Sequence, residues 1–108
     1  MNKRLCLRDT QGRFYLALTD IVRLEADDCY TIVHVLGGKK YIQSGSLCKF
    51  YERIKQEGSF FRIHKSHAVN LMYIFRIDNC GSITMMDGTM LPITDEARKE
   101  IENNIPEC

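Results

Sequence analysis

The feature that most constrains this chain is its rhythm. Hydrophobic residues recur at every second position in short runs, and each run stops at turn-forming residues. Side chains on a β-strand alternate between faces, so a period of two marks strands with one buried face. Leu5 and Leu7 alternate with Arg4, Cys6 and Arg8, and Asp9-Thr10-Gln11-Gly12 ends the run. FYLALT (14–19) and IVRLEA (21–26) follow, and Asp27-Asp28 breaks the pattern. CYTIVHVL (29–36) is rich in β-branched and aromatic residues, which suit a pleated, half-buried surface. Gly37-Gly38 closes it as a hairpin onto KKYIQS (39–44), since paired glycines supply the backbone angles of tight hairpin turns.

The period then changes. Leu47, Phe50, Tyr51 and Ile54 fall at i, i+3, i+4 and i+7, which is one face of a helix. Ser46 is suited to cap its start and Gly58 to stop it, so the spacing predicts an embedded helix at about 46–57. β character returns in FFRIH (60–64), HKSHAVNLM (64–72) reads as irregular, and YIFRID (73–78) reads as a strand. Asn79-Cys80-Gly81 turns onto SITMM (82–86). Asp87-Gly88 signals a type I′ hairpin turn into TMLPI (89–93), where Pro92 marks an edge or a strand end. Thr94 caps a C-terminal helix at about 94–104, with Asp95 and Glu96 in the first turn, where the helix dipole favours acids. This pattern predicts a mostly β, antiparallel fold. A length of 108 residues suits one domain spanning 1–108.

Charge is uneven along the chain. Residues 1–76 carry 13 Lys/Arg against 7 Asp/Glu, whereas residues 77–108 carry 2 against 7. Such a field can draw a polyanion to one face, or the acidic end can simply be a solvated helix. The cysteines Cys6, Cys29, Cys48, Cys80 and Cys108 are odd in number, widely spaced and without a CxxC pair. That argues against a secreted disulfide framework or a zinc ribbon and predicts reduced, mostly buried thiols. The N-terminal stretch has no apolar signal-peptide core, and no apolar run approaches the roughly 18 residues of a membrane span. A cytoplasmic location without membrane contact is the expectation.

Catalytic and metal chemistry find little support. His64 and His67 have HxxH spacing, but positions three apart on one regular strand face opposite sides, and no acid flanks them closely. His34 reads as a packed or edge histidine. Neither Cys29 nor Cys80 has a helix N-terminus or a basic neighbour to lower its pKa. No GxSxG, Walker or GxGxxG motif is present, and Gly37-Gly38-Lys39-Lys40 joins two strands instead of opening a helix. Neither enzyme activity, nor a cofactor, nor a metal site is expected. A small thiol enzyme stays open only if folding brings a cysteine to His64 or His67.

The most informative segment is Phe60-Phe61-Arg62-Ile63-His64-Lys65-Ser66-His67-Ala68-Val69-Asn70. Apolar anchors flank a cluster of cations and hydrogen-bond donors. DNA binding needs that mixture, with cations for phosphates and a long cation for base edges. A solvated basic turn is the alternative reading of the same residues.

The run FFRIHKSHAVNLMYI (60–74) resembles the hallmark of the LytTR DNA-binding domain, F-x-R-x-H-R/N-S-x-x-V-N followed by an apolar residue. IVRLEADDCYTIVHV (21–35), YIQSGSLCKFYERI (41–54) and DGTMLPIT (87–94) resemble three further family segments in the right order. Together they cover about Leu16 to Ile101. The resemblance implies an elongated stack of small antiparallel sheets with one embedded helix, whose loops enter successive major grooves of double-stranded DNA. It places one loop at His64, Lys65 and Ser66, with Lys65 for a base edge and Arg62, His64 and Ser66 for phosphates or for bracing. His67 belongs to the same cluster. A second loop maps onto Asp28, Cys29 and Tyr30, while Glu25 and Asn70 are read as structural. The chain departs from the pattern at Asp95, where many members carry a base, and Arg98 lies one helical turn further on. The implied protein is the output domain of a bacterial transcriptional regulator. It would bind promoter sites or paired repeats, in the latter case as a homodimer, behind a receiver or sensor domain. A continuous basic stripe of Lys39, Lys40, Arg62 and Arg98 around Lys65 favours DNA. An acidic helix beside Lys65 favours a protein-interaction module with weakened DNA binding.

Overall fold

The structure is a computed structural model that describes residues 3–57 and 59–104. Ten strands lie in chain order: β1 (Arg4–Asp9), β2 (Gly12–Ala17), β3 (Ile21–Asp27), β4 (Tyr30–Val35), β5 (Lys40–Ser44), β6 (Phe60–His64), β7 (His67–Asn70), β8 (Ile74–Ile77), β9 (Ser82–Met85) and β10 (Met90–Pro92). Helix α1 (Leu47–Ile54) follows β5, and helix α2 (Asp95–Asn104) follows β10. The strands form three antiparallel sheets: the hairpin β1-β2, a central sheet in the order β5-β4-β3-β7-β6, and a small sheet in the order β10-β9-β8. The mostly β stack expected from the sequence is thus present, elongated to 45 × 33 × 24 Å.

The central sheet carries a hydrophobic core on each face. On one side Leu24, Val33 and Ala68 pack against Leu5 and Leu7 of β1 and against Leu47, Phe50 and Ile54 of α1. On the other side Val22, Ile63 and Val69 pack against Ile83, Met85 and Leu91 of the small sheet and against Ala97 and Ile101 of α2. Neighbours Ala68 and Val69, both fully buried, go to opposite cores as strand alternation requires. β3 lies at the centre of the sheet, which is why Ile21, Val22 and Leu24 form a nearly continuous apolar stretch.

Both helix starts carry the expected caps. The Ser46 hydroxyl accepts from the Lys49 N–H at 3.2 Å, and Thr94 Oγ1 accepts from the Ala97 N–H at 3.1 Å. α1 is regular over Leu47–Ile54 and tightens into a 3-10 turn over Lys55–Glu57, whereas the expected stop at Gly58 lies outside the described residues. Pro92 ends an edge strand, as its missing N–H demands. We expect Thr94→Ala to remove the α2 cap at a cost of about 1 kcal/mol, which corresponds to a Tm lower by roughly 4–8 °C. Thr94→Ser should restore it, and an unchanged Tm in Thr94→Ala would show that the hydroxyl does not hold the helix start.

Three local expectations are corrected. The segment 64–72 is not irregular, because His67–Asn70 forms β7 and Leu71–Tyr73 a 3-10 turn. The Asp87-Gly88 turn is not type I′, which requires two residues with positive φ. Only Gly88 has one there, at 92°. The Gly88 N–H donates to Met85 O and the Met85 N–H to Thr89 O, so three residues close the hairpin with the glycine in the bulge position. The thiols are not mostly buried: Cys29, Cys48 and Cys80 are exposed, and Cys6 is intermediate. Cys29 and Cys80 sit in turns, and Cys48 lies on the outer side of α1. Cys108 lies outside the described residues.

Candidate nucleic-acid interface

Register builds the site. Asp27 pairs with Tyr30 across the β3-β4 turn, and His64 pairs with His67 across the β6-β7 turn. Because Glu25 of β3 pairs with His67 of β7, both turns lie at the same end of the central sheet. The Ala26 N–H donates to Ser66 O at 2.8 Å and ties them together. The start of α2 arrives beside them, since the Thr94 N–H donates to Ile63 O at 3.0 Å. The segments 28–30, 64–66 and 94–96, distant in sequence, therefore meet.

The β6-β7 turn is Lys65-Ser66, and side chains hold it. Arg62 Nη2 donates to Lys65 O at 2.7 Å, and the Ser66 N–H donates to His64 Nδ1 at 3.1 Å. The second bond requires His64 Nδ1 to be unprotonated. Arg62 and His64 are thus braces, and the Lys65 side chain is left exposed at the tip. Among the described residues Arg62 Nε and His67 Nδ1 are buried without a partner. In the neighbouring turn Asp28 has φ 56°, a left-handed conformation that aspartate tolerates better than most residues. Cys29 O accepts from the Gly45 N–H at 3.0 Å, and Tyr30 is 47% exposed, which leaves its ring free for contact.

Asp95 and Glu96 are exposed at the α2 N-terminus, so acids do stand at this end of the molecule. Arg98 is turned along its own helix, with Nε 3.7 Å from Glu102. Lys39 and Lys40 are not brought to this end. They lie where β4 turns into β5, with Lys40 paired to His34. Val35 is five strand steps from Tyr30, roughly 16 Å at 3.3 Å per residue. The continuous stripe through all four cations does not form.

Beneath the turns lies a polar network assembled across strands. Arg23, Glu25 and His34 share one sheet face: His34 Nε2 lies 2.9 Å from Glu25 Oε1, and Arg23 Nη1 lies 3.5 Å from the same oxygen. Arg23 is buried. The i, i+2 spacing of Arg23 and Glu25 signals a shared face, but His34 joins only through the β3-β4 register. Burial raises the Glu25 carboxyl, yet the hydrogen bond from His34 and the charge of Arg23 outweigh it and leave the pKa below its ordinary value. Burial pushes His34 below its ordinary 6.5 against the pull of Glu25, and burial likewise lowers His67.

These shifts have one sign. A depressed histidine contributes stability that is full above 6.5 and lost as pH falls through the folded value. A depressed carboxylate behaves alike below its ordinary 4.5. We therefore expect the urea midpoint to be flat above pH 7 and to fall first below 6.5. His34→Gln should lessen that first fall, to which His67 also contributes. A midpoint that rises on acidification would mean that a charged His34–Glu25 pair outweighs burial.

Asn70 plays the structural role expected of it. Its buried amide donates to Ile21 O at 3.0 Å and accepts from the Met72 N–H at 3.1 Å. His64 and His67 have ring centroids 5.7 Å apart. They approach because they sit on two strands flanking a turn, not on one strand. Among the described residues no group of three or more His, Cys, Asp or Glu side chains is arranged to hold a metal ion. The Cys6 thiol donates to Leu7 O, not to a histidine. No helix among the described residues is long and apolar enough to cross a membrane.

Fold and site together define a β domain that presents braced turns, with the start of α2 beside them, at one end of its main sheet. Residues 11–105 match the family model of the LytTr DNA-binding domain, and the chain belongs to that family. A solved LytTr DNA-binding domain from Bacillus cereus superposes with a TM-score of 0.74 at 23% identity, covering 96% of this chain and 97% of that one. This likeness concerns the fold. No curated protein matches the sequence.

Proposed function

We propose that this domain reads double-stranded DNA by inserting the Lys65-Ser66 turn and the 28–30 turn into the major groove. One observation carries the proposal: three segments distant in sequence converge at one sheet end, with the exposed Lys65 at the tip of a turn braced by Arg62 and His64. Lys65 donates to a guanine edge, a common direct contact in the major groove. Tyr30, Cys29, Ser66 and His67 line its surroundings, and the braces keep Arg62 and His64 in supporting roles. Lys39 and Lys40 lie at the other end of their hairpin and contribute, at most, to the general field. Asp95 lies where it opposes phosphate, or accepts from a cytosine N4, and Arg98 is turned toward Glu102 of its own helix.

In this reading residues 1–108 form one cytoplasmic output domain of a bacterial transcriptional regulator. Two copies occupy paired repeats, and a receiver or sensor domain governs their access. The mechanism is binding alone, without a cofactor, a metal or a chemical step. Exposed Asp95 and Glu96 beside the turn support a second reading, a regulatory protein-interaction module on the same fold.

Methylation interference tests the groove. A duplex selected by the domain, methylated at guanine N7, should be excluded from the bound fraction when the methyl lies within the site, because N7 faces the major groove. Interference confined to adenine N3, on the minor-groove side, would contradict the proposal.

A further inference from the structure

A groove of about 790 Å³ runs between β1, the edge strand β5 and helix α1. Arg4, Arg8 and Arg13 of the first hairpin and Lys49 and Arg53 of α1 line it. All five are exposed, and among the described residues no carboxylate lines the groove. Among the described residues none of the five is in an ion pair. The acids nearest in sequence are engaged elsewhere: Asp9 accepts from the Gln11 N–H at 2.8 Å, and Glu52 holds Lys55 at 2.9 Å.

The groove is held in shape. The Gln43 side chain accepts from the Arg8 N–H at 3.0 Å and donates to Arg8 O at 2.9 Å, which fixes the hairpin to β5. The Arg53 guanidinium rests 5.2 Å from the Phe50 ring centroid. Gly45, which follows the lining residue Ser44, has φ 126°, and a Cβ there would meet Phe50 at 3.2 Å. Five like charges around one groove repel each other until an anion neutralises them. Their spread along three elements suits a chain of anionic groups more than a single ion.

Position selects the polyanion. The groove is lined at one end by Ser44, which pairs with Tyr30, and the next residue, Gly45, bonds Cys29 O. Its lining strand is therefore the neighbour of the turn at 28–30. We propose that this groove holds the phosphate backbone of the duplex flanking the site that the turns read. The inference rests on the DNA-binding reading above and adds a second, sequence-blind surface to it.

The test compares the wild-type chain with Arg13→Glu/Lys49→Glu, on a selected duplex and a scrambled one, each with short and extended flanks, across a salt series. Neither side chain makes a hydrogen bond among the described residues, and Arg13→Gln/Lys49→Gln replaces the reversal if its Tm falls. Wild type should gain affinity from the flanks. The variant should lose that gain, and its dependence of log Kd on log salt should be shallower by about 0.9 for each phosphate it no longer engages. Its ratio of selected to scrambled binding should persist. Equal slopes and equal flank gains in both proteins would overturn the groove while leaving the turns as readers. If neither protein prefers the selected duplex, the turn reading fails, and the slopes on scrambled DNA still judge the groove. A labelled oligoglutamate that binds wild type but not the variant, with duplex binding unchanged, would overturn it in favour of an acidic protein segment.

Discussion

Lys65→Ala should weaken binding to a selected duplex far more than binding to a scrambled one. A well-made contact to a guanine edge is worth roughly 1–3 kcal/mol of discrimination, about 5- to 140-fold in Kd. Removing a cation that holds only a phosphate instead weakens both duplexes alike. Lys65 is suited to the first role because its backbone is fixed before DNA arrives. Its carbonyl is held by Arg62, the next N–H by His64 and the next carbonyl by Ala26. A side chain on a pre-ordered turn loses less entropy on binding than one on a loose loop. Competition binding with both duplexes at one salt concentration checks the prediction. An equal weakening on both would assign Lys65 to the backbone.

Asp95→Arg should act in the opposite direction. The acid is exposed in the first turn of α2, directly after the residue that bonds Ile63. Replacing it removes repulsion and offers a cation, so affinity should rise and the salt dependence should steepen by about 0.9 if one phosphate is engaged. The gain should shrink by about threefold between 50 and 200 mM salt. The same change puts a positive charge at a helix N-terminus, which costs about 0.3–1 kcal/mol of stability, so Tm should fall while affinity rises. Affinity and slope both unchanged would place Asp95 away from DNA.

These two residues show what the sequence made legible. Period two located most of the strands, and the 3.6 period of Leu47, Phe50 and Ile54 located α1, because both patterns report burial. The turn at Lys65-Ser66 was less legible as a turn. It contains no Gly, Pro, Asn or Asp, and its shape comes from Arg62 and His64, side chains outside it. The β7 segment reads as irregular in the sequence for the same reason. The family motif pointed to the residues at 28–30, 64–66 and 95, but only the central-sheet register and the Thr94–Ile63 bond bring them to one end. The separation of Lys39 and Lys40 likewise follows from strand length and not from local pattern. The Arg23–Glu25–His34 network and the groove beside β5 depend on contacts across strands and between layers. A linear reading has no signal for such contacts until the pairing is known.

The central claim is sequence-specific DNA binding by braced turns. Selection of the domain against a random duplex pool, followed by binding of the winner and a scrambled duplex across a salt series, tests it most directly. The expected result is a recovered motif, an affinity ratio on the order of 10³ or more over scrambled DNA, and weakening as salt rises. No enrichment, with only weak and sequence-blind binding at low salt, would contradict it and turn attention to a protein partner for the acidic start of α2.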